Sequence, residues 1–139
     1  MCLNPKCLCV ISGTLFLLFF VLILQTTDRK IACKSIAKWA VDDRPNRQRS
    51  VIMTRGKDPV LAVSEGNLQE YPCIPVHEEE IVDVNGCGDA TLGGFLAAFI
   101  QGKSFDKCME WGLYAANVVI QHRGCSFTSK PPSLPLALI

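Results

Sequence analysis

The stretch VDVNGCGDATLGGFLAAFI, from Val82 to Ile100, combines residue types that could bind and transfer an anion. Its glycine-rich turn lies between a predicted strand and a predicted helix. The first N–H groups of a helix have no partner within the helix and carry partial positive charge. Glycine also lets an anion approach the backbone closely, because it has no Cβ atom. Gly86, Cys87 and Gly88 could therefore offer backbone N–H groups to phosphate oxygens.

Asp89 follows this turn, and its negative charge would repel a phosphate that was only held there. The charge is explained if the site transfers a phosphoryl group. The carboxylate would then accept the proton of an incoming hydroxyl as general base, while the backbone amides stabilise the transferring group. In that case Asp89→Asn should keep nucleotide binding and abolish turnover. The structural alternative is a helix-capping Asp, which stabilises a helix by about 0.5–2 kcal/mol. The spacing alone leaves both interpretations open.

The elements around the turn predict an α/β layered domain, since short apolar strands are followed by amphipathic helices. Strands are predicted at residues 50–54, 60–63, 71–76 and 81–84. Helices are predicted at residues 26–40, 90–101 and 105–121. Thr27 or Asp28 is expected to cap the first helix and Ser104 the last, and Gly102 to end the second.

Composition excludes several classes of function. The net charge of +1 gives no electrostatic footprint for nucleic acid. The eight cysteines are crowded at the N-terminus or scattered singly, with no paired CxxC motifs. We therefore expect reduced intracellular thiols and assign no residue as a metal ligand.

Residues 1–25 contain an uncharged, apolar run from Cys7 to Leu24, CLCVISGTLFLLFFVLIL. Its eighteen residues are near the lower limit for a membrane span. We predict an apolar N-terminal helix here that could anchor the chain to a membrane, with its C-terminal side in the cytosol. A buried strand or core helix is the alternative. These residues could also be foreign to the native protein.

Three segments carry a resemblance to a known family. VDVNGCGDATLGGFLAAFI resembles the C-terminal signature of the ribokinase-like carbohydrate and purine kinases, usually D-T-N-G-A-G-D-A-F-x-G-G-F. WGLYAANVVIQHRGCSF and RQRSVIMTRGKDP are similar to segments of the adenosine kinases in that family. The resemblance covers residues 26–131 and leaves residues 132–139 as a tail. It implies the C-terminal portion of a layered α/β/α ribokinase-like fold.

The resemblance also implies an activity and a site. The activity is transfer of the ATP γ-phosphate to the 5′-hydroxyl of adenosine, giving AMP with Mg²⁺, by a cytoplasmic monomer. Asp89 matches the catalytic base. The cofactor-binding positions that match are the anion hole at Gly86, Cys87 and Gly88, the neighbouring Asn85, and Thr54 and Gly56 of the ATP pocket.

This sequence departs from the family pattern at several positions. Cys87 replaces the usual Ala, and Val84 replaces the usual Thr. Thr91 replaces the usual Phe, which we expect to remove apolar packing behind the turn. In related sugar kinases the positions that match Asp83 and the Gly124 loop hold a monovalent cation.

Only about the last third of the family's chain is represented. The residues that grip the nucleoside ribose, the lid and the N-x-x-E magnesium motif are missing. We therefore expect the isolated chain not to phosphorylate adenosine. Two alternatives are a non-catalytic, membrane-anchored nucleotide-binding protein and a chain whose open strand edge prevents stable folding.

Overall fold

The computed structural model describes residues 7–12, 26–39 and 49–124, which fall into two compact units divided after Cys73. The first unit is α/β, as predicted. It contains β1 (Cys7–Ser12), α1 (Arg29–Lys38), β2 (Arg49–Arg55), β3 (Asp58–Ser64) and β4 (Asn67–Tyr71). The second unit contains a short 3₁₀ helix (Glu78–Glu80), α2 (Cys87–Phe99) and α3 (Phe105–Ile120).

The four strands form one sheet in the order β1-β2-β3-β4. β1 runs parallel to β2, and α1 lies between them in the chain, as expected for parallel strands joined by a crossover. β2, β3 and β4 are successive antiparallel neighbours. The sheet is therefore a mixed one, built from a parallel crossover and two hairpins.

The core of the first unit lies between α1 and the central strands. Four consecutive residues are buried in each of β2 and β3. Because neighbouring residues of a strand point to opposite faces, both faces of these strands are covered. One buried cluster joins α1 to both strands; its members are Ala32, Cys33, Ile36, Val51, Met53, Leu61 and Val63.

Two tight turns join the antiparallel strands. Gly56, with φ of +65°, is the first residue of a two-residue turn between β2 and β3. Glu65 and Gly66 both have positive φ in the turn between β3 and β4. Two-residue hairpins favour such left-handed backbone, because it matches the twist of the strands.

The predicted caps of the outer helices are confirmed. Asp28 caps α1, since its carboxylate accepts hydrogen bonds from the N–H groups of Lys30 and Ile31. Ser104 caps α3 by accepting from the N–H of Lys107. Both side chains satisfy amides that lack a partner within the helix.

Ion pairs link α1 to the far edge of the sheet. The carboxylate of Glu70 on β4 forms ion pairs with the Lys30 ammonium and with the Arg55 guanidinium. Arg55 Nη2 lies 3.3 Å from Glu70 Oε2. Arg55 Nε also donates to the carbonyl oxygen of Pro59 at 2.6 Å. The hydrogen bond from Lys30, assisted by the positive charges, holds the pKa of Glu70 below its ordinary value.

The prediction of an apolar helix at the N-terminus is wrong for its first six residues. Cys7–Ser12 is strand β1, paired along its whole length with β2. A six-residue apolar segment suits a strand as well as a helix. Its pairing with β2 decides in favour of the strand. The rest of the run, residues 13–24, lies outside the described residues, and so does the predicted tail at residues 132–139. No helix in the described part of the chain is both long and apolar enough to cross a membrane.

Two other predicted strands differ from the structure. The strand expected at residues 71–76 instead spans Asn67–Tyr71. Pro72 and Pro75 lack the N–H groups that a strand pair needs, so the pairing stops where they begin. Residues 81–84 have no regular secondary structure and belong to no strand of the described sheet. Val82 and Asp83 instead donate their N–H groups to the carbonyl oxygen of Ile120, at 2.9 and 3.2 Å.

Candidate functional site

The glycine-rich turn leads directly into α2. Gly86 is the N-cap residue, with φ of +77° and ψ of −4°. A residue with a side chain is strained in this left-handed conformation. The helix begins at Cys87, three residues earlier than the predicted start at Ala90. The candidate anion-binding amides of Cys87 and Gly88 therefore lie in the first helical turn, ahead of the first hydrogen bond between helix backbone groups.

Asp89 is the third residue of α2, and its side chain is exposed. It is not the N-cap, because that position is taken by Gly86, which has no side chain to cap with. The structural alternative therefore reduces to a favourable charge in the first turn of a helix. The exposed position leaves the carboxylate accessible to a hydroxyl from solvent or from a substrate.

Asn85 and Asp83 form a hydrogen-bonded pair before the helix. Asp83 Oδ1 accepts from the backbone N–H of Asn85 at 2.9 Å and from its Nδ2 at 2.8 Å. Asp83 Oδ2 accepts from the backbone N–H of Gly124 at 3.0 Å, across 41 residues of sequence. These hydrogen bonds hold the pKa of Asp83 below its ordinary value, and the backbone N–H of Asn85 makes the largest contribution. The structure thus brings Asp83 and the Gly124 loop into direct contact.

Thr91 lies one turn into α2 and is buried, with 4% of its surface exposed. Its hydroxyl donates to the carbonyl oxygen of Cys87 at 2.8 Å. A Cβ atom on Gly112 would lie 2.6 Å from the Thr91 carbonyl oxygen and 3.3 Å from its methyl group. Thr91 is therefore packed closely against α3, and the expected loss of apolar packing relative to Phe stays a prediction.

Thr54 and Gly56, the predicted ATP-pocket residues, belong to the first unit. Thr54 is half-buried near the end of β2, where it pairs with Ser12 of β1. Gly56 is exposed in the following turn, and a Cβ atom there would meet no heavy atom within 4 Å. Its positive φ is explained by the hairpin itself, so the local geometry does not require a ligand at this position.

The described residues contain no group of three or more His, Cys, Asp or Glu side chains that could hold a metal ion. The side chains of Asp83 and Asp89 accordingly do not form part of such a cluster. Four cysteines are described as thiols rather than disulfides: Cys33, Cys73, Cys87 and Cys108.

The sequence matches the pfkB family of carbohydrate kinases over residues 30–132, so the chain belongs to this family. That range includes every site residue predicted from the sequence, from Thr54 to Asp89. The match also confirms the ribokinase-like assignment that was drawn from the glycine-rich signature.

Similar proteins include adenosine kinases. Adenosine kinase 1 of Arabidopsis thaliana is 45% identical over 84 residues, which are 60% of this chain and 24% of that protein. The structure of a Schistosoma mansoni adenosine kinase with 2-fluoroadenosine superposes with a TM-score of 0.80 at 27% identity, over 88% of this chain and 36% of that one. The structure of an Anopheles gambiae adenosine kinase with P1,P4-di(adenosine-5) tetraphosphate superposes with a TM-score of 0.69 at 39% identity. This match covers 80% of this chain and 33% of that one. The matched part of the chain thus spans between 24% and 36% of the length of these proteins.

Sequence reasoning missed the two glycines that set the spacing of α2 and α3. A Cβ atom on Gly94 would lie 2.5 Å from the carbonyl oxygen of Trp111, and Gly112 makes the reciprocal contact with Thr91. Both glycines stand inside sequence patterns that strongly predict a helix, and this position was the signal that could have identified them. Such a residue costs helix stability and usually has a packing reason.

Proposed function

We propose that this chain is the phosphoryl-transfer portion of an adenosine kinase, which moves the γ-phosphate of ATP to the 5′-hydroxyl of adenosine to give AMP. The observation that carries the proposal is the position of Asp89. It stands exposed in the first turn of α2, three residues after the left-handed Gly86. An accessible carboxylate and the first backbone amides of a helix thus share one helix end in a member of the pfkB family.

The amides of the first turn of α2 would stabilise the transferring phosphoryl group. Gly86 turns the chain so that the helix opens directly after it, and the first internal helix bond is donated by Ala90 to the Gly86 carbonyl at 2.8 Å. The N–H groups ahead of Ala90 have no acceptor within the helix. Fixed donors of this kind favour negative charge that builds up during transfer.

Asp89 would act as the general base. Its carboxylate would accept the proton from the 5′-hydroxyl as the oxygen attacks the γ-phosphorus, and the bond from that phosphorus to the leaving ADP oxygen would break. The same carboxylate repels phosphate in the ground state. Its presence at an anion-binding turn is explained if a proton has to be removed there.

The partners follow from the relatives. Similar proteins are adenosine kinases whose solved complexes contain 2-fluoroadenosine or P1,P4-di(adenosine-5) tetraphosphate. By resemblance, Thr54 and Gly56 would line the ATP pocket, and Asn85 would lie beside the anion hole. Mg²⁺ would accompany ATP. Because the described residues hold no cluster of metal-ligating side chains, no step is assigned to a metal bound by this chain.

The isolated chain is expected to be inactive. It spans about a quarter of Arabidopsis thaliana adenosine kinase 1. Positioning of the two reactants supplies much of the rate enhancement in phosphoryl transfer. The chain has a candidate base and anion hole, but no residues that we can assign to the nucleoside.

The proposal is tested by a chimera. Residues 30–132 would replace the matching segment of Arabidopsis thaliana adenosine kinase 1, and AMP formation would be measured with adenosine, cytidine and ribose as acceptors. We expect adenosine to be phosphorylated. Asp89→Asn in the chimera should lower kcat by about 10²–10⁴-fold, the usual contribution of a general base, with ATP affinity retained.

Glu79→Gln is the matched control, because it removes the same charge from an exposed carboxylate in the short 3₁₀ helix. It should leave kcat unchanged. A folded chimera without activity, or an Asp89→Asn chimera as active as its parent, would contradict the proposal. AMP formation by the isolated chain that is lost in Asp89→Asn would support the assigned base and refute the expected inactivity.

A further inference from the structure

We propose that Asp83 is a positioning residue for the phosphate-binding turn, and that it makes phosphate affinity depend on the loop at Gly124. This inference rests on the proposed function, since it concerns the same turn. It adds a residue that does not itself contact the phosphate. Its effect would pass through the backbone from Asp83 to Gly86 and the first turn of α2.

The geometry shows a bridge between two parts of the second unit. One carboxylate oxygen of Asp83 receives two donors from Asn85, the residue before Gly86. The other receives the N–H of Gly124, which lies beyond the end of α3. A single side chain thus holds both the start of the turn and the loop that follows the neighbouring helix.

In the part of the second unit that the structure describes, the segment before the turn is largely exposed and belongs to no strand. Residues 81–84 pair with no described strand, and Val82 and Val84 are 50% and 66% exposed. The backbone contacts of Val82 and Asp83 both end on one acceptor, the carbonyl oxygen of Ile120. The hydrogen bonds of Asp83 are the contacts that tie the start of the turn directly to the Gly124 loop.

An electrostatic role and a positioning role of Asp83 predict opposite changes in phosphate affinity when Asp83 is substituted. If Asp83 acted only through its charge, Asp83→Asn would remove a repulsive carboxylate and tighten the binding of a polyanion. If it positions the turn, the substitution weakens binding. The Asn side chain still offers one oxygen to Asn85, but its NH₂ group cannot accept from Gly124.

The test measures inorganic tripolyphosphate binding to the full 139-residue chain by calorimetry at neutral pH. We expect Asp83→Asn to weaken binding about tenfold, which corresponds to about 1.4 kcal/mol. Amide hydrogen exchange of Gly124 should become faster in the same variant. Glu79→Gln removes an equal charge outside the bridge and should bind as tightly as the parent, or slightly more tightly. A role confined to stability would lower the melting temperature and leave the affinity of the folded chain unchanged.

Gly124→Ala approaches the same contact from its other end without changing any charge. Gly124 has φ of +63° and open space around a Cβ atom, so the substitution strains the backbone without a clash. It should also weaken tripolyphosphate binding. This variant decides the matter if Asp83→Asn does not fold: weaker binding supports the inference, and unchanged binding overturns it.

The outcomes separate this inference from the proposed function. Binding by the parent chain with equal or tighter binding by Asp83→Asn would overturn the role of Asp83 and leave the anion hole standing. No binding by the parent chain would overturn the anion hole and, with it, the role of Asp83. Binding by the parent that weakens in both bridge variants, but not in Glu79→Gln, would support both.

Discussion

Gly94 and Trp111 bring the main chains of α2 and α3 into direct contact. A Cβ atom on Gly94 would lie 2.5 Å from the carbonyl oxygen of Trp111 and 2.9 Å from the Cβ atom of Ala115. Main-chain atoms in the middle of a helix cannot move aside as a flexible side chain can. The two helices would have to separate to admit even a methyl group, so this glycine fixes how closely α2 packs on α3.

We therefore predict that Gly94→Ala destabilises the chain by about 1–3 kcal/mol, the usual cost of overpacking. Gly93→Ala is the matched control, since it adds the same methyl group on the same helix, where nothing lies within 4 Å. The control should gain about 0.5–1 kcal/mol, because Ala is the better helix former. Urea denaturation of both variants checks the prediction, and equal stability would contradict it.

Gly86→Ala is predicted to lose both stability and anion binding. The left-handed backbone at φ of +77° costs about 1–2 kcal/mol for a residue with a Cβ atom. Relief of that strain would rotate the first amides of α2 away from their present direction. Gly102→Ala is the control, because Gly102 has φ of +72° and open space around it beyond the end of α2. It should lose similar stability and keep tripolyphosphate affinity, as measured by calorimetry.

Thr91 is predicted to tolerate loss of its hydroxyl better than a gain in size. Thr91→Val removes the bond to the Cys87 carbonyl, which is expected to cost about 0.5–1.5 kcal/mol. Thr91→Phe restores the residue usual in the family but places a ring where the backbone of Gly112 approaches. It should cost more, about 1–3 kcal/mol. Thermal denaturation that ranked Thr91→Phe above Thr91→Val would show that the helices can move apart here.

Stability is predicted to fall at acid pH through Glu70. Its pKa is held below the ordinary value chiefly by Lys30, so the folded state favours the ionised form. The resulting stabilisation is fully present above the pKa of the unfolded chain, about 4.3, and is lost as pH falls through the lower folded value. Glu70→Gln should flatten this part of the acid unfolding curve. High salt should weaken the effect in the parent chain, because these groups are partly exposed to solvent.

Local signals in the sequence predicted helices and their caps well. Asp28 and Ser104 stand directly before apolar periodic runs, and capping depends on residues within one turn of each other. The order of strand, glycine turn and helix around Asp89 also followed from short-range patterns. The family signature then supplied roles for the site residues, which the spacing alone left open.

Long-range contacts account for what the sequence did not predict. Cys7–Ser12 becomes a strand because β2 pairs with it, although the apolar composition equally suits a helix. The pattern of residues 81–84 predicts a strand, yet the amides of Val82 and Asp83 bond to Ile120 at the end of α3. The start of α2 at Cys87 depends on the left-handed backbone of Gly86, which a glycine permits but does not require.

The exposed edge of the described sheet has a bearing on solubility. β4 is the last strand in the order, and three of its five residues, Asn67, Gln69 and Glu70, are exposed and polar. Pro72 follows at once and cannot donate a hydrogen bond to an added strand. A charged, short edge that ends in proline resists pairing with the edge of another molecule. The residues of β4 themselves thus oppose edge-to-edge aggregation on this side of the described sheet.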